Sequence, residues 1–267
     1  MWFSRRVPLF LSLSIFLSLL LPGKLLAYNE DGRVHFEAGF EVLDRDIEEE
    51  NAVFLGEIFP EERMSVQSLR LLGKLSLRLI DAIEIYGLAG GSDLELDAFS
   101  FSSDFSGAYG GGARFVFYRD TSPERPFQVF ADYRFLRFET NDDLQFAPEV
   151  PRDLNGNGVI ESNESVLLAN EIVNEQIDWN EHVFKLGVMG RHAEFEPYGG
   201  IRFSFVRGKD HIPATAQALD LDFKQSDTFG IFLGTAYYLG RSEKAAVFIE
   251  GSLFDQYSLT GGVRVGF

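Results

Sequence analysis

Apolar and polar residues take turns along most of this chain. From about Arg33 to Leu43, Val34, Phe36, Ala38, Phe40 and Val42 alternate with His35, Glu37, Gly39 and Glu41. Successive side chains of a strand point to opposite faces, so this pattern predicts a strand with one oily and one wet side. A hairpin is predicted around Asp81 and Ala82. On its first arm Leu69, Leu71, Leu75, Leu77 and Leu79 interleave with Arg70, Lys74, Ser76 and Arg78, and the return arm carries Ile83, Ile85 and Tyr86. A helix would not place charges at every second position. Further strands are expected over 107–118 and 127–139, around 184–188, over 198–207, and around 229–237 and 247–253. The last eleven residues, Tyr257 to Phe267, put Leu259, Gly261, Val263, Val265 and Phe267 on one face.

That makes ten strands, an even number that returns the chain to the side on which it began. Their connections alternate between short turns, near Asp81, 119–126, 193–196 and 240–244, and longer segments, near 44–64, 97–104, 140–180 and 208–225. A tight turn at Asp255 and Gln256 comes last. The expected fold is all-β: a transmembrane antiparallel up-and-down β-barrel of about ten strands, with eight as the alternative. Only a closed barrel or a helix satisfies its own backbone in lipid, and residues 28–267 contain no apolar run long enough for a spanning helix.

The N-terminus has the order of a secretory leader: Arg5 and Arg6, an apolar run from Val7 to Leu21, then a cleavage expected after Ala27. The run is about fifteen residues, short of the roughly twenty that a membrane span needs. The expected division is therefore 1–27 signal peptide and 28–267 barrel with long extracellular loops, in the bacterial outer membrane. There are no cysteines, which excludes disulfides and thiol chemistry. The formal charge of −17 argues against nucleic acid and towards cations. The first long loop is especially acidic, with Asp44, Asp46, Glu48, Glu49, Glu50, Glu57, Glu61 and Glu62. It reads as a solvated face or as a divalent-cation layer bridging to lipopolysaccharide phosphates.

If the inward faces are assigned by parity, the lumen holds Arg70, Lys74, Arg78, Arg114, Arg134, Lys185, Arg202 and Arg264 against Glu37, Glu41, Glu84, Asp132 and Glu250. Buried charges of both signs must pair or hydrate. Either they plug the barrel, helped by Tyr86, Tyr198, Phe232 and Phe248, or they line a narrow channel for small solutes or ions.

One loop motif is sharp. Asp153, Asn155, Asn157, Val159, Glu161 and Glu164, with Gly158 at the turn, match the EF-hand calcium-loop pattern at its defining positions. Side-chain oxygens come from Asp153, Asn155, Asn157 and Glu161, a carbonyl from Val159 and a bidentate carboxylate from Glu164. Pro148 and Pro151 exclude a standard entering helix. The alternative is an Asn/Gly-rich acidic turn that binds nothing. Calcium is the one cofactor expected.

The leader, the terminal GGVRVGF, the hairpin Leu77 to Gly91 and the stretch Phe195 to Phe205 together resemble the OmpA-like superfamily of small outer-membrane β-barrels. The resemblance implies outer-membrane lipid and lipopolysaccharide as surroundings, and delivery by the barrel-assembly machinery through the strand ending at Phe267. Ten strands is also the architecture of the omptin surface proteases, which use Asp/His and Asp/Asp pairs at the upper rim. Here Asp210 and His211, with Asp44 and Asp46, are the candidates, but the omptin spacing of an Asp two residues before the His is missing. No serine pairs with a histidine by pattern. The expected role is non-enzymatic: a surface or envelope-structural protein, with a narrow pore second and a surface hydrolase third.

Overall fold

The computed structural model describes residues 33–50, 53–54, 57–58, 63–96, 101–120, 126–146, 149–151, 165–167, 171–213, 219–240 and 244–267. The proposed leader and the whole calcium-type loop, 153–164, lie outside them. In chain order the strands are β1 (Val34–Glu50), β2 (Val53–Phe54), β3 (Glu57–Ile58), β4 (Arg63–Ile80), β5 (Ile83–Ser92), β6 (Glu95–Leu96), β7 (Phe101–Ser102) and β8 (Ser106–Asp120). Then follow β9 (Phe127–Phe146), β10 (Glu149–Pro151), β11 (Ser165–Leu167), β12 (Glu171–Gly190), β13 (Phe195–Ile212), β14 (Leu219–Gln225), β15 (Phe229–Leu239), β16 (Ala245–Leu253) and β17 (Tyr257–Gly266). No helix occurs among the described residues.

Ten of these strands close a ring in the order β1-β17-β16-β15-β13-β12-β9-β8-β5-β4, with β4 pairing back onto β1. Every neighbouring pair is antiparallel, and β1 and β17 meet with His35 opposite Gly266 and Asp44 opposite Tyr257. Both described ends of the chain therefore lie at the end of the barrel that carries the short turns. Over the height at which all ten strands run together, closure leaves no edge of the ring unpaired.

The outer surface carries a belt of exposed apolar side chains, among them Leu75, Leu77, Phe115, Phe184, Leu186, Phe203, Ile231, Leu233 and Ile249. Leu233 is 73% exposed. A continuous apolar band around a closed antiparallel barrel is the lipid-facing surface of a transmembrane β-barrel.

Above this belt the alternation keeps its period and reverses its polarity. On β12, Phe184, Leu186 and Val188 face out low on the wall; higher up, Asn174, Gln176, Asp178 and Asn180 take the outward positions while Ile177 and Trp179 turn inward and are buried. The same exchange occurs on β1 (Asp46 and Glu48 out, Ile47 in), on β4 (Ser65 and Gln67 out, Met64 and Val66 in) and on β9 (Arg137 and Glu139 out, Leu136 and Phe138 in). A membrane barrel thus continues into a water-soluble barrel with an ordinary hydrophobic core. This corrects the strand ends expected near residues 43, 139 and 207: within the loops expected over 44–64, 140–180 and 208–225, residues 44–50, 63–64, 140–146, 171–180, 208–212 and 219–225 belong to wall strands. An oily-outside template ends where the polarity flips, although the backbone pairing does not.

The ring is also rebuilt at this height. β14 pairs with β13 on one side, Arg207 opposite Lys224, and with β1 on the other, Ile47 opposite Gln225. It thereby passes over the turn joining β16 to β17, and those two strands drop out of the upper wall. On the opposite side, the β6–β7 hairpin takes over from β5 and β8, with Val66 of β4 opposite Leu96. The rebuilt upper wall, in which β7 approaches β9 without a ladder between them, brings Trp179, Phe138, Phe223, Leu136, Val66, Leu94 and Phe101 into one buried cluster. Trp179 stacks on Phe138 with ring centres 5.7 Å apart. Lower down, Gly112 has a packing role: a Cβ there would collide with the Tyr133 carbonyl and the Tyr86 ring. The missing side chain lets Tyr86 lie across the lumen.

The sealed lumen as candidate functional site

The interior is stratified from the short-turn end upward. At the mouth, a cavity of about 410 Å³ is lined by residues including His35, Arg78, Arg119, Gln128, Tyr238 and Phe267. It adjoins a smaller one of about 150 Å³ at mid-barrel, and Glu37, Arg114, Met189 and Arg264 line both. The walls between them are ion pairs. Arg114 Nε lies 3.0 Å from Asp132, and Arg264 Nε lies 2.7 Å from Glu37 with its Nη1 3.6 Å from Glu196. Lys74 lies between Glu37 at 3.4 Å and Glu84 at 3.8 Å, and Lys185 pairs with Glu250. The Tyr86 hydroxyl donates to Asp132 at 2.8 Å.

Over these pairs sits a layer of four guanidinium groups, Arg45, Arg70, Arg134 and Arg202, around the carboxylates of Glu41, Glu181 and Asp255; Arg134 and Glu41 also line the mid-barrel cavity. Glu181 is its hub: Arg70 lies at 2.7 Å, Arg134 at 2.9 Å and Arg45 at 3.3 Å. Arg70 and Arg134 also reach Glu41, at 3.3 and 3.5 Å. Arg202 Nε lies 2.7 Å from Asp255, whose other donor is the Ser204 hydroxyl at 2.7 Å. Arg45 donates to Gln256 and, at 3.2 Å, to Gln225. Charges buried this deeply persist only with partners, because losing hydration costs several kcal/mol per ion.

The upper surface of this layer is in contact with the apolar core. Arg45 lies over the Trp179 ring at 5.8 Å and Arg70 over Phe138 at 5.7 Å. Such face-on contacts are favourable for desolvated guanidinium groups. Among the described residues, the arginine layer and the buried apolar core above it fill the interior of the barrel.

All thirteen charged residues assigned to the lumen by parity project into the barrel, and twelve of them meet an opposite charge there. Arg78 is the exception: its guanidinium donates to His35 Nε2 at 3.5 Å. Parity along the lower strands missed Arg45, Glu181, Glu196, Gln225, Asp255 and Gln256. Arg45 lies in the expected 44–64 loop and Glu181 just past the end of the expected 140–180 loop, although each continues its strand's inward parity. The tight turn at Asp255 and Gln256 is folded inward and buried, because β14 closes over it. No local signal marks that burial.

The rim acids considered for catalysis do not converge. Asp210 points into the upper barrel and is buried, whereas His211, its neighbour, lies on the outer face and pairs with Asp220 of β14. Adjacent residues of one strand face opposite sides. Asp44 accepts from Ser65 at 2.9 Å, and Asp46 is exposed on the outer face.

Asp210 has a different companion. Well above the apolar belt, Glu175 of β12 is 1% exposed, and among the described residues neither of its oxygens has a donor; Asp210 Oδ1 also lacks one. The two carboxyls contact each other, and Asp142 of β9 sits opposite Glu175 in register. Burial, then the charge and contact of Asp210, push the Glu175 carboxyl up to about 8. Burial also raises Asp210 above the usual aspartate range. Two like charges in a dry site cannot both ionise cheaply, so the pair holds a proton between them near neutrality.

No protein-family model matches the chain, and no curated protein matches it in sequence. Among solved structures, it is similar in fold to the outer membrane protease OmpT from Escherichia coli, with a TM-score of 0.54 and 11% identity over 91% of this chain and 99% of that one. Two looser likenesses carry no further argument. The translocator domain of the autotransporter NalP from Neisseria meningitidis has TM-score 0.39 and 10% identity over 89% of each chain. The toluene transporter TodX from Pseudomonas putida has TM-score 0.37 and 10% identity over 93% of this chain and 92% of that one. The fold is that of outer-membrane β-barrels.

Proposed function

We propose that this protein is a non-conducting, non-enzymatic barrel of the bacterial outer membrane, an envelope-structural and surface protein of OmpA-like type. The observation that carries the proposal is the closed lumen, an arginine–carboxylate layer capped by an apolar core. A passive pore needs a continuous wetted path, and a shell of Trp179, Phe138, Leu136 and Phe223 offers water nothing to bond to. The belt of exposed apolar side chains supports residence in lipid, with lipopolysaccharide around the outward end. The strand ending at Phe267 suits delivery by the barrel-assembly machinery. A surface hydrolase draws no support from Asp210 and His211, which face opposite ways.

The test is conductance in planar bilayers. Wild-type protein is expected to insert without producing ohmic steps. Steady single-channel conductance from the wild type would overturn the sealed-barrel reading.

The extracellular end, in this proposal, presents a calcium-binding loop. Its support is the sequence pattern of Asp153, Asn155, Asn157, Val159, Glu161 and Glu164, together with the acidity of the chain. Saturable calcium binding in calorimetry is expected to vanish in the Asp153→Ala/Glu164→Ala double variant; an unchanged titration would remove the calcium assignment and leave the barrel untouched.

A further inference from the structure

The cavity at the short-turn mouth has a composition that plugging does not explain. Six of its lining side chains are Lys or Arg and four are Asp or Glu, whereas the chain as a whole has 24 of the first kind and 41 of the second. Even with the terminal carboxylate of Phe267 added at the rim, the balance is reversed. Most of these cations are engaged: Arg114 by Asp132, Arg264 by Glu37 and Glu196, and Arg191 lies over the Tyr238 ring at 4.2 Å. Among the described residues, Arg78 and Arg119 have no carboxylate within ion-pair distance. Arg78 reaches His35 at 3.5 Å, and Arg119 donates to the Asp81 carbonyl at 3.1 Å.

Arg119 faces the mouth because of a local defect in the wall. The register between β8 and β9 shifts between Val116 and Tyr118, placing Arg119 opposite Gln128, which also lines the cavity. Unbroken alternation from Arg114 would have sent residue 119 to the lipid face. A β-bulge that re-aims one side chain at a barrel rim is a recurrent way of building a site. A second shift, on β4 between Arg78 and Ile80, lies beside the Arg78 guanidinium. Phe130, Met189 and Tyr238 supply apolar walls between the charges.

We infer that this mouth is a binding site for a small organic anion, a carboxylate or phosphate ester with an apolar portion, held by Arg78 and Arg119 and backed by Phe130 and Tyr238. The volume falls within the range of small-ligand pockets. Guanidinium groups recognise either oxyanion through paired N–H donors, so the two ligand chemistries share one site. The arginine–carboxylate layer ends the path above it, so the site holds its ligand and does not pass it on. The mouth opens on the side of the short turns, which in the proposed membrane orientation is the periplasm.

The experiment titrates the full chain in detergent micelles with four probes of similar shape: benzoate, phenyl phosphate, benzyl alcohol and benzylamine. Saturable binding is expected for benzoate, phenyl phosphate or both, and which one binds more tightly identifies the preferred oxyanion. The alcohol and the amine should not bind. Arg78→Gln/Arg119→Gln should weaken anion binding by about tenfold or more. Gln128→Glu, which sets a carboxylate opposite Arg119 without removing any wall residue, should weaken it comparably and serves if the double variant does not fold. Absence of binding by both anions, equal binding of the alcohol, or unchanged affinity in Gln128→Glu would overturn the site. None of these results alters the conductance test, so the failure of the site and of the sealed-barrel reading are separable.

Discussion

Replacing Glu181 by Gln is expected to destabilise the barrel by about 3–5 kcal/mol, the usual cost of removing one partner from a buried charge network. Glu181 is fully buried and is the common partner of Arg45, Arg70 and Arg134. Without its charge, Glu41 alone faces Arg70 and Arg134, and Arg45 keeps only the neutral acceptors Gln225 and Gln256. The measurement is the urea midpoint of refolded protein in lipid vesicles, with the heat-modifiable gel shift as a check on folding. Glu250→Gln is the comparison, because Glu250 is partly exposed and, among the described residues, has Lys185 as its one ion-pair partner. Its loss should be well below that of Glu181→Gln. Equal losses in the two variants would show that the layer is not energetically special, and the argument from Glu181 as hub would fall.

Glu175→Gln is expected to do the opposite at neutral and higher pH: to stabilise the upper barrel and to remove most of a pH dependence that the wild type shows. The folded-state Glu175 carboxyl lies at about 8 against an ordinary 4.5, so between these limits the folded protein holds a proton that the unfolded chain has released. Stability therefore falls as pH rises through that window and is flat on either side of it. The size of the fall is on the order of 3–5 kcal/mol if the full shift is realised. The groups facing Glu175 are Asp210 from β13 and Asp142 from β9, both acidic, so neither relieves the burden by ion pairing. Glutamine at this position stays neutral and can donate to Asp210. Unfolding midpoints of wild type and variant measured from pH 5 to pH 9 should converge at the acid end and separate at the alkaline end. Parallel curves across that range would show that the two carboxyls do not share a proton.

Much of the wall was legible because period-two alternation is a local property. Val34 to Val42 and Leu69 to Leu79 announce strands without reference to anything else in the chain, and both lie on the ring where expected. The even strand count followed from the same signal, as did the inward parity of Glu37, Lys74, Arg114, Asp132 and Arg264. What failed was the height of the barrel. Ile177 and Trp179 looked like part of a polar loop because their apolar side chains occupy the face that, lower on the same strand, belongs to Lys185. Periodicity identifies two faces; it does not say which one meets lipid, water or core.

The amino-acid order by itself therefore determined the strands, their alternation and the number that closes the ring, since each depends on neighbours one or two residues apart. Only the tertiary structure decided what fills the cylinder. Arg45, Glu181 and Asp255 are separated by most of the chain and meet because the ring brings β1, β12 and the β16–β17 turn to one level. β14 covers that turn and buries it through pairings with strands distant in sequence. The seal is the joint product of wall curvature and a change in strand number, and neither is written in any single segment.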